Sequence, residues 1–254
     1  MIVRILALLL IPLLLVGCGN NKRPLDPNDP IENKAKLRYE IGIDALYKGQ
    51  LPKAFAELME ADRLTPNRPE ILDAIGYAWR LHGNTAKAEE SYRKAMANSP
   101  SPATHNNYGS LLLQMKRPVD AEAQFRLALE DPRYPNQDMA YINLGDALLM
   151  QNRADDAIAA YRQARLLNPD QDISLLHEAQ AYQKSDRPHY ARALYETLLR
   201  KVPNSRPVLE GLIPLLRQQG EVVKARQLLT DYLEQASDPL EQAWAKDELY
   251  RLKR

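Results

Sequence analysis

Cysteine occurs once in the 254 residues, at Cys18. A lone cysteine excludes an intramolecular disulfide and any multi-cysteine metal site. Glycine is scarce, at 10 residues, and the 17 aromatics include only 2 Phe. Excess charge of one sign is missing too: 34 Lys and Arg against 33 Asp and Glu leave +1. That balance excludes a nucleic-acid binder working through bulk basic charge. The apolar run Ile5 to Val16 is twelve residues long, and a membrane-spanning helix needs ~20. What is present is a core-forming composition, 45% hydrophobic and 26% charged, which sets the chain apart from disordered ones. Abundant Ala, Leu, Arg, Glu and Gln with little Gly favours helix over a turn-rich β-sandwich.

The N-terminus reads as an address. Met1 to Arg4 is a short basic start, the apolar run fits a secretory h-region, and Leu15-Val16-Gly17-Cys18 closes it. This resembles the bacterial lipobox. The resemblance implies cleavage before Cys18, a thioether-linked diacylglycerol on its sulfur and an acyl chain on its amine. Two or more chains anchor a protein stably, where one does so marginally. Residue 19 is Gly rather than the Asp that retains many such lipoproteins at the inner membrane, so the implied location is the outer membrane, periplasmic face. Removing residues 1–17 takes away one cation, Arg4, and leaves a formally neutral chain. Residues 18–34, with Pro24, Pro27 and Pro30 among asparagines, read as a lipidated N-terminus and flexible tether.

Beyond the tether the chain repeats. A small residue recurs at Gly42, Gly76, Gly109, Gly145 and Ala179, at steps of 34, 33, 36 and 34. Twelve residues after each stands Ala54, Ala88, Ala121, Ala157 or Ala191, and four further on Leu58, Tyr92, Phe125, Tyr161 or Tyr195. Pro66, Pro100, Pro169 and Pro203 punctuate four of the units. This is the tetratricopeptide pattern, a helix-turn-helix unit of about 34 residues. The predicted fold is therefore all-α: a solenoid of six repeats over 35–237 in a right-handed superhelix, with a C-terminal capping helix over 238–254. The first marker is small because helices A and B of a unit cross there. The second alanine supports the crossing from helix B, and the aromatic or Leu fills space between units. Gly49, Gly83, Asn152 and Asp186 share one place between A and B, where a left-handed residue ends a helix. Pro52, Pro118 and Pro188 fall at the start of helix B, where a missing N–H costs little.

The sixth unit, about Arg206 to Ser237, is degenerate. Ala225, Leu229 and Gly220 keep their places, but Ile213-Pro214 at the first marker predicts a kinked or broken helix A. Asp238-Pro239 then opens a last helix. Leu240, Ala243, Trp244 and Leu249 are predicted to form its apolar face and the rest a polar cap.

No constellation points to catalysis, so the chain reads as a non-enzyme without cofactor, metal or small-molecule substrate. The four histidines are scattered over three units, and His177-Glu178 begins a zinc-protease motif whose second ligand place is Ala181. Phosphate loops, Gly-x-Ser-x-Gly and paired Cys motifs are missing. What remains is a binding face. Counting the marker glycine as position 8, helix-A positions 2, 5, 9, 12 and 13 line the concave side of such solenoids. They supply Tyr39, Ile43, Leu46 and Tyr47 in unit 1, then Asp73, Tyr77 and Arg80 in unit 2. Unit 3 adds Asn106, Ser110 and Leu113; unit 4 adds Met139, Ile142, Asp146, Leu149 and Met150. Asn107 and Asn143, both at position 6, are the chemistry for gripping a ligand backbone, since an amide both donates and accepts. Each of these residues has a second reading, packing between helices or facing water, and Asn also bridges helices. The predicted partner site is Tyr77, Asn106, Asn107, Ser110, Leu113, Ile142, Asn143, Asp146 and Met150.

Asn106-Asn107-Tyr108-Gly109, and the 36-residue step to Asn143-Leu144-Gly145 carrying Tyr134-Pro135, narrow the resemblance. With the lipobox, the short tether and six repeats, the chain resembles the PilF/PilW family of outer-membrane lipoproteins in type IV pilus biogenesis. That resemblance, which periodicity alone does not supply, implies a pilotin that binds pilus secretin subunits and helps them assemble in the outer membrane. The alternative is an outer-membrane lipoprotein scaffold that organises another envelope protein, in peptidoglycan or export machinery, through the same groove.

Overall fold

The computed structural model describes residues 29–252; the signal segment and Cys18 lie outside the described residues. Within them are thirteen helices and no strand. Unit 1 is α1 (Pro30–Tyr47) and α2 (Leu51–Leu64), unit 2 α3 (Pro69–Leu81) and α4 (Thr85–Met96), unit 3 α5 (Pro102–Gln114) and α6 (Pro118–Leu129). Unit 4 is α7 (Gln137–Met150) and α8 (Ala154–Leu167), unit 5 α9 (Asp172–Lys184) and α10 (Pro188–Lys201), unit 6 α11 (Arg206–Gln218) and α12 (Val222–Gln235). The last helix is α13 (Pro239–Arg251).

The ends of these helices follow from their sequences. Gly49, Gly83, Asn152 and Asp186 all take positive φ, between +57° and +83°, and Gly220 does so in unit 6. Unit 3 places Lys116 there at φ +58°, a conformation that disfavours a residue with a Cβ. Several helix starts are capped by the short polar side chain that precedes them. Asn84 Oδ1 accepts from the Lys87 N–H at 3.1 Å, Ser101 Oγ from Thr104 N–H at 3.1 Å, and Asp238 Oδ1 from Leu240 N–H at 2.8 Å.

The repeat markers form the core. Ala54, Ala88, Ala121, Ala157, Ala191 and Ala225 are fully buried, as are the residues four further on. A Cβ at Gly145 would sit 2.3 Å from Tyr161, at Gly109 2.6 Å from Phe125, and at Gly42 2.7 Å from Leu58. The aromatic thus lies over the marker glycine of its own unit as well as reaching the next. Unit 5, whose marker is Ala179, finds the room elsewhere: a Cβ on Gly211 of unit 6 would sit 2.2 Å from the Tyr195 ring. The core falls into two large clusters, one in units 1 and 2 and one from Ala88 onward, with Trp79 packed against both, and a small third of Ala128, Tyr134 and Ala140.

Three expectations change. α1 starts at Pro30, capped by Asp29, so residues 30–34 are helix rather than tether. α11 is not broken: it runs unbroken through Pro214. Five buried neighbours, Leu209, Leu212, Ile213, Leu215 and Leu216, hold its two halves, while Pro214 itself is exposed. On α13 the inward face is Trp244, Ala245, Leu249 and Leu252, spaced by helix turns; Leu240 is 74% exposed and Ala243 is exposed too. Between units, the arginine before each helix B, Arg117, Arg153 or Arg187, pairs with an acid of the preceding helix B at 2.7–2.8 Å: Glu89, Glu122 and Asp155, the last lying three residues earlier in the repeat than the other two. Between units 5 and 6 the charges are reversed, Arg192 facing Glu221.

Candidate functional site

The A helices of units 1 to 4 enclose an open cavity of about 550 Å³. Its apolar lining comes from Ile43, Leu46, Tyr47, Tyr77, Ala103, Tyr134 and Met139, and its polar lining from Asp73, Asn106, Asn107, Asn136 and Asn143. Tyr47 is 89% exposed, an aromatic ring standing in solvent at the mouth. The Arg80 guanidinium lies 4.9 Å from the Tyr77 ring centre, a cation–π contact.

The polar groups form a seam. Asn107 Nδ2 donates to Asp73 Oδ2 at 3.0 Å, and Asn143 Nδ2 to Asn106 Oδ1 at 2.9 Å. One unit on, His177 Nδ1 is 2.8 Å from Asp146 Oδ1, which also accepts from the Tyr161 hydroxyl at 2.8 Å. In units 3, 4 and 5, position 6 therefore reaches position 5 or 9 of the unit before. The two asparagines are braces between helices as well as groove residues, so removing them costs stability. Each brace uses the amide N–H as its donor; the amide oxygen supplies the acceptor half of a backbone grip.

Burial pushes the Asp73 carboxyl up to about 6, opposed by hydrogen bonds from Asn107 and Thr104. Its Oδ1 is shielded from water. Burial also raises Tyr92, the nearby Asp73 charge adding to the shift and Arg80 opposing it.

Of the predicted site residues, Tyr77, Asn106, Asn107 and Asn143 meet in this cavity. Ser110 sits behind it, 3.5 Å from Asn143 Nδ2, and bonds its own helix at Asn106 O. Leu113 is partly buried against the core. Asp146 belongs to the seam, and Met150, 46% exposed, lies outside the cavity lining. Ile142 is a correction: at 2% exposure it is core, packed inward from α7, and presents no surface to a partner. Sequence reasoning left out Asp73 as a site residue. Its signal was a carboxylate at position 5 with Asn one repeat later. It also missed Glu178, buried at position 7 and paired with Arg162 at 2.7 Å and Arg165 at 3.3 Å. Among the described residues, no group of three or more His, Cys, Asp or Glu is placed to hold a metal ion. No helix among them is long and apolar enough to cross a membrane.

Comparison with known proteins adds the following. The tetratricopeptide repeat family matches residues 78–138, 107–172 and 176–239. The type IV pilus assembly protein PilF of Pseudomonas aeruginosa is 26% identical over 216 residues, covering 84% of this chain and 86% of PilF. The solved structure of Pseudomonas aeruginosa PilF superposes with a TM-score of 0.72 at 22% identity, covering 86% of this chain and 99% of that one. PilW, a widely conserved type IV pilus biogenesis factor, superposes with a TM-score of 0.77 at 19% identity, covering 87% and 98%.

Proposed function

From the premise that the chain belongs to the tetratricopeptide repeat family, we propose that it is a type IV pilus biogenesis lipoprotein of the pilotin kind. In this reading the groove of units 1 to 4 holds a segment of a pilus secretin subunit, and acyl chains on Cys18 carry the complex to the periplasmic face of the outer membrane. The observation that carries the proposal is the end-to-end match to PilF, 84% of this chain against 86% of that one: the likeness spans nearly the whole of both proteins. The cavity supports it with apolar walls and converging polar groups, the usual make-up of a recognition groove.

A tetratricopeptide groove suits this task physically. Its A helices form a rigid wall, so little ordering cost falls on the protein when a partner segment docks. Tyr77 and Met139 offer apolar contact, Met adapting its shape, while the asparagine amides satisfy backbone groups that lose water. The test has two arms. Deleting the gene should reduce secretin multimers and pilus-dependent twitching; unchanged multimers would refute the pilotin role. Fatty-acid labelling should tag the wild type and not Cys18→Ser; label retained by the variant would refute acylation at Cys18.

A further inference from the structure

Among the residues lining the cavity, Asp73 alone carries a formal charge at neutral pH. The Asn107 amide donates to Oδ2 at 3.0 Å and Thr104 adds a second neutral hydrogen bond, but no cation neutralises the carboxylate. Arg80, two turns further along α3, lies over the Tyr77 ring. A shielded carboxylate without a counter-charge is costly to keep. The seam does not require that charge. Asn106, at the equivalent place one unit later, accepts from Asn143 just as Asp73 accepts from Asn107. A neutral amide does the structural task in unit 3, so the charge in unit 2 is left over for something else.

We propose that the groove's occupant is an extended peptide segment that sets a Lys or Arg side chain, flanked by apolar residues, on Asp73. This rests on the reading that the groove holds a partner segment, and names the chemistry of that segment. Lys and Arg carry their charge on long apolar stems, which suits a walled site with Tyr77 and Met139 at its sides. With water excluded, the attraction between the cation and Asp73 is damped far less than at an exposed surface. A segment presenting a carboxylate there would be repelled by the same wall.

The test uses the full chain and a phage-displayed library of random 12-residue peptides. Binders to wild type are depleted on Asp73→Asn, which keeps the acceptor for Asn107 while removing the charge. The survivors should share one Lys or Arg among apolar residues and bind wild type at least roughly tenfold more tightly than Asp73→Asn. They should also lose binding to Met139→Arg, which blocks the groove. Peptides that need an open groove yet lack a basic position, or bind Asp73→Asn equally, overturn this proposal and leave the groove reading standing. Peptides indifferent to Met139→Arg, or no binders at all, overturn both.

Discussion

Gly145→Ala sets two effects of opposite sign against each other at the centre of the solenoid. Alanine is the better helix former by about 1 kcal/mol, so an exposed helical glycine would gain from the change. At this site the new Cβ would stand 2.3 Å from Tyr161 Cε1, against an ordinary carbon–carbon contact of about 3.5–4.0 Å. Tyr161 has little freedom to yield: it is fully buried and its hydroxyl is bonded to Asp146 at 2.8 Å. Overpacking of this kind costs about 1–3 kcal/mol, so the clash should outweigh the propensity gain by about 1 kcal/mol. In a chain of this size that is a fall of about 2–4 °C in Tm. Gly145→Leu should fall further, and Gly76→Ala, whose Cβ meets Tyr92 at 3.0 Å, should be close to neutral. Gln163→Leu, on the exposed side of α8, is the silent control. Circular-dichroism melts of the four variants decide it. A Tm for Gly145→Ala at or above wild type would mean that helices A and B do not cross tightly there, and the packing account would fail.

Asp73 and the paired glutamates predict opposite pH responses. A carboxyl held at about 6 in the fold binds its proton more tightly than in the unfolded chain, so stability should rise as pH drops from about 7 to 5. The shift from about 3.9 corresponds to at most roughly 3 kcal/mol, less whatever water reaches the site. Asp73→Asn should raise Tm at pH 7.5 and much less at pH 5; an equal effect at both would refute the burial of that charge. For Glu122, burial pushes the carboxyl up, but hydrogen bonds from Arg126, Gln151 and Arg153 outweigh it and hold it below its ordinary value. That contribution is present above the ordinary range and lost on acidification, so denaturation below about pH 4 is expected. Lys116→Gly should stabilise the protein by about 0.5–1 kcal/mol, because φ +58° strains any residue with a Cβ; a lower midpoint in urea would contradict this. Glu178→Leu should be neutral or stabilising, since a well-packed apolar side chain often matches a buried ion pair, and Arg162 and Arg165 keep solvent access. A large loss of stability would show that the pair is needed for packing.

The architecture was legible because repetition multiplies a weak signal. One Gly-to-Ala step of twelve residues means little, but five in register fix the helices, their turns and the crossing points. Departures from the repeat were harder to read. Gly211 lies two residues before the marker and so looked unremarkable, yet it makes room for the Tyr195 ring of the unit before. Glu178 occupies a place that is apolar in the other units, and its two arginines lie on α8, so sequence order hid the pairing. Ile142 was read as a groove residue because register counting assigns position 5 outward; in unit 4 the helix turns that side chain into the core, and Asn143 faces the cavity instead. On α13 a periodic count cannot choose between adjacent faces when Leu240 and Leu249 both fit one. Packing against α12 settles it for Trp244, whose ring meets Tyr232 edge-on.

The central claim is that the groove of units 1 to 4 holds the secretin. Met139→Arg tests it most directly. Met139 is a partly exposed lining residue, so the change should block the cavity and leave the melting temperature near wild type. Gln163→Arg, on the opposite helix layer, is the matched control. Secretin multimers are then quantified in outer-membrane fractions of cells carrying each variant. The account predicts loss of multimers with Met139→Arg and wild-type abundance with Gln163→Arg. Wild-type multimers in both would place the partner elsewhere on the solenoid and contradict the account.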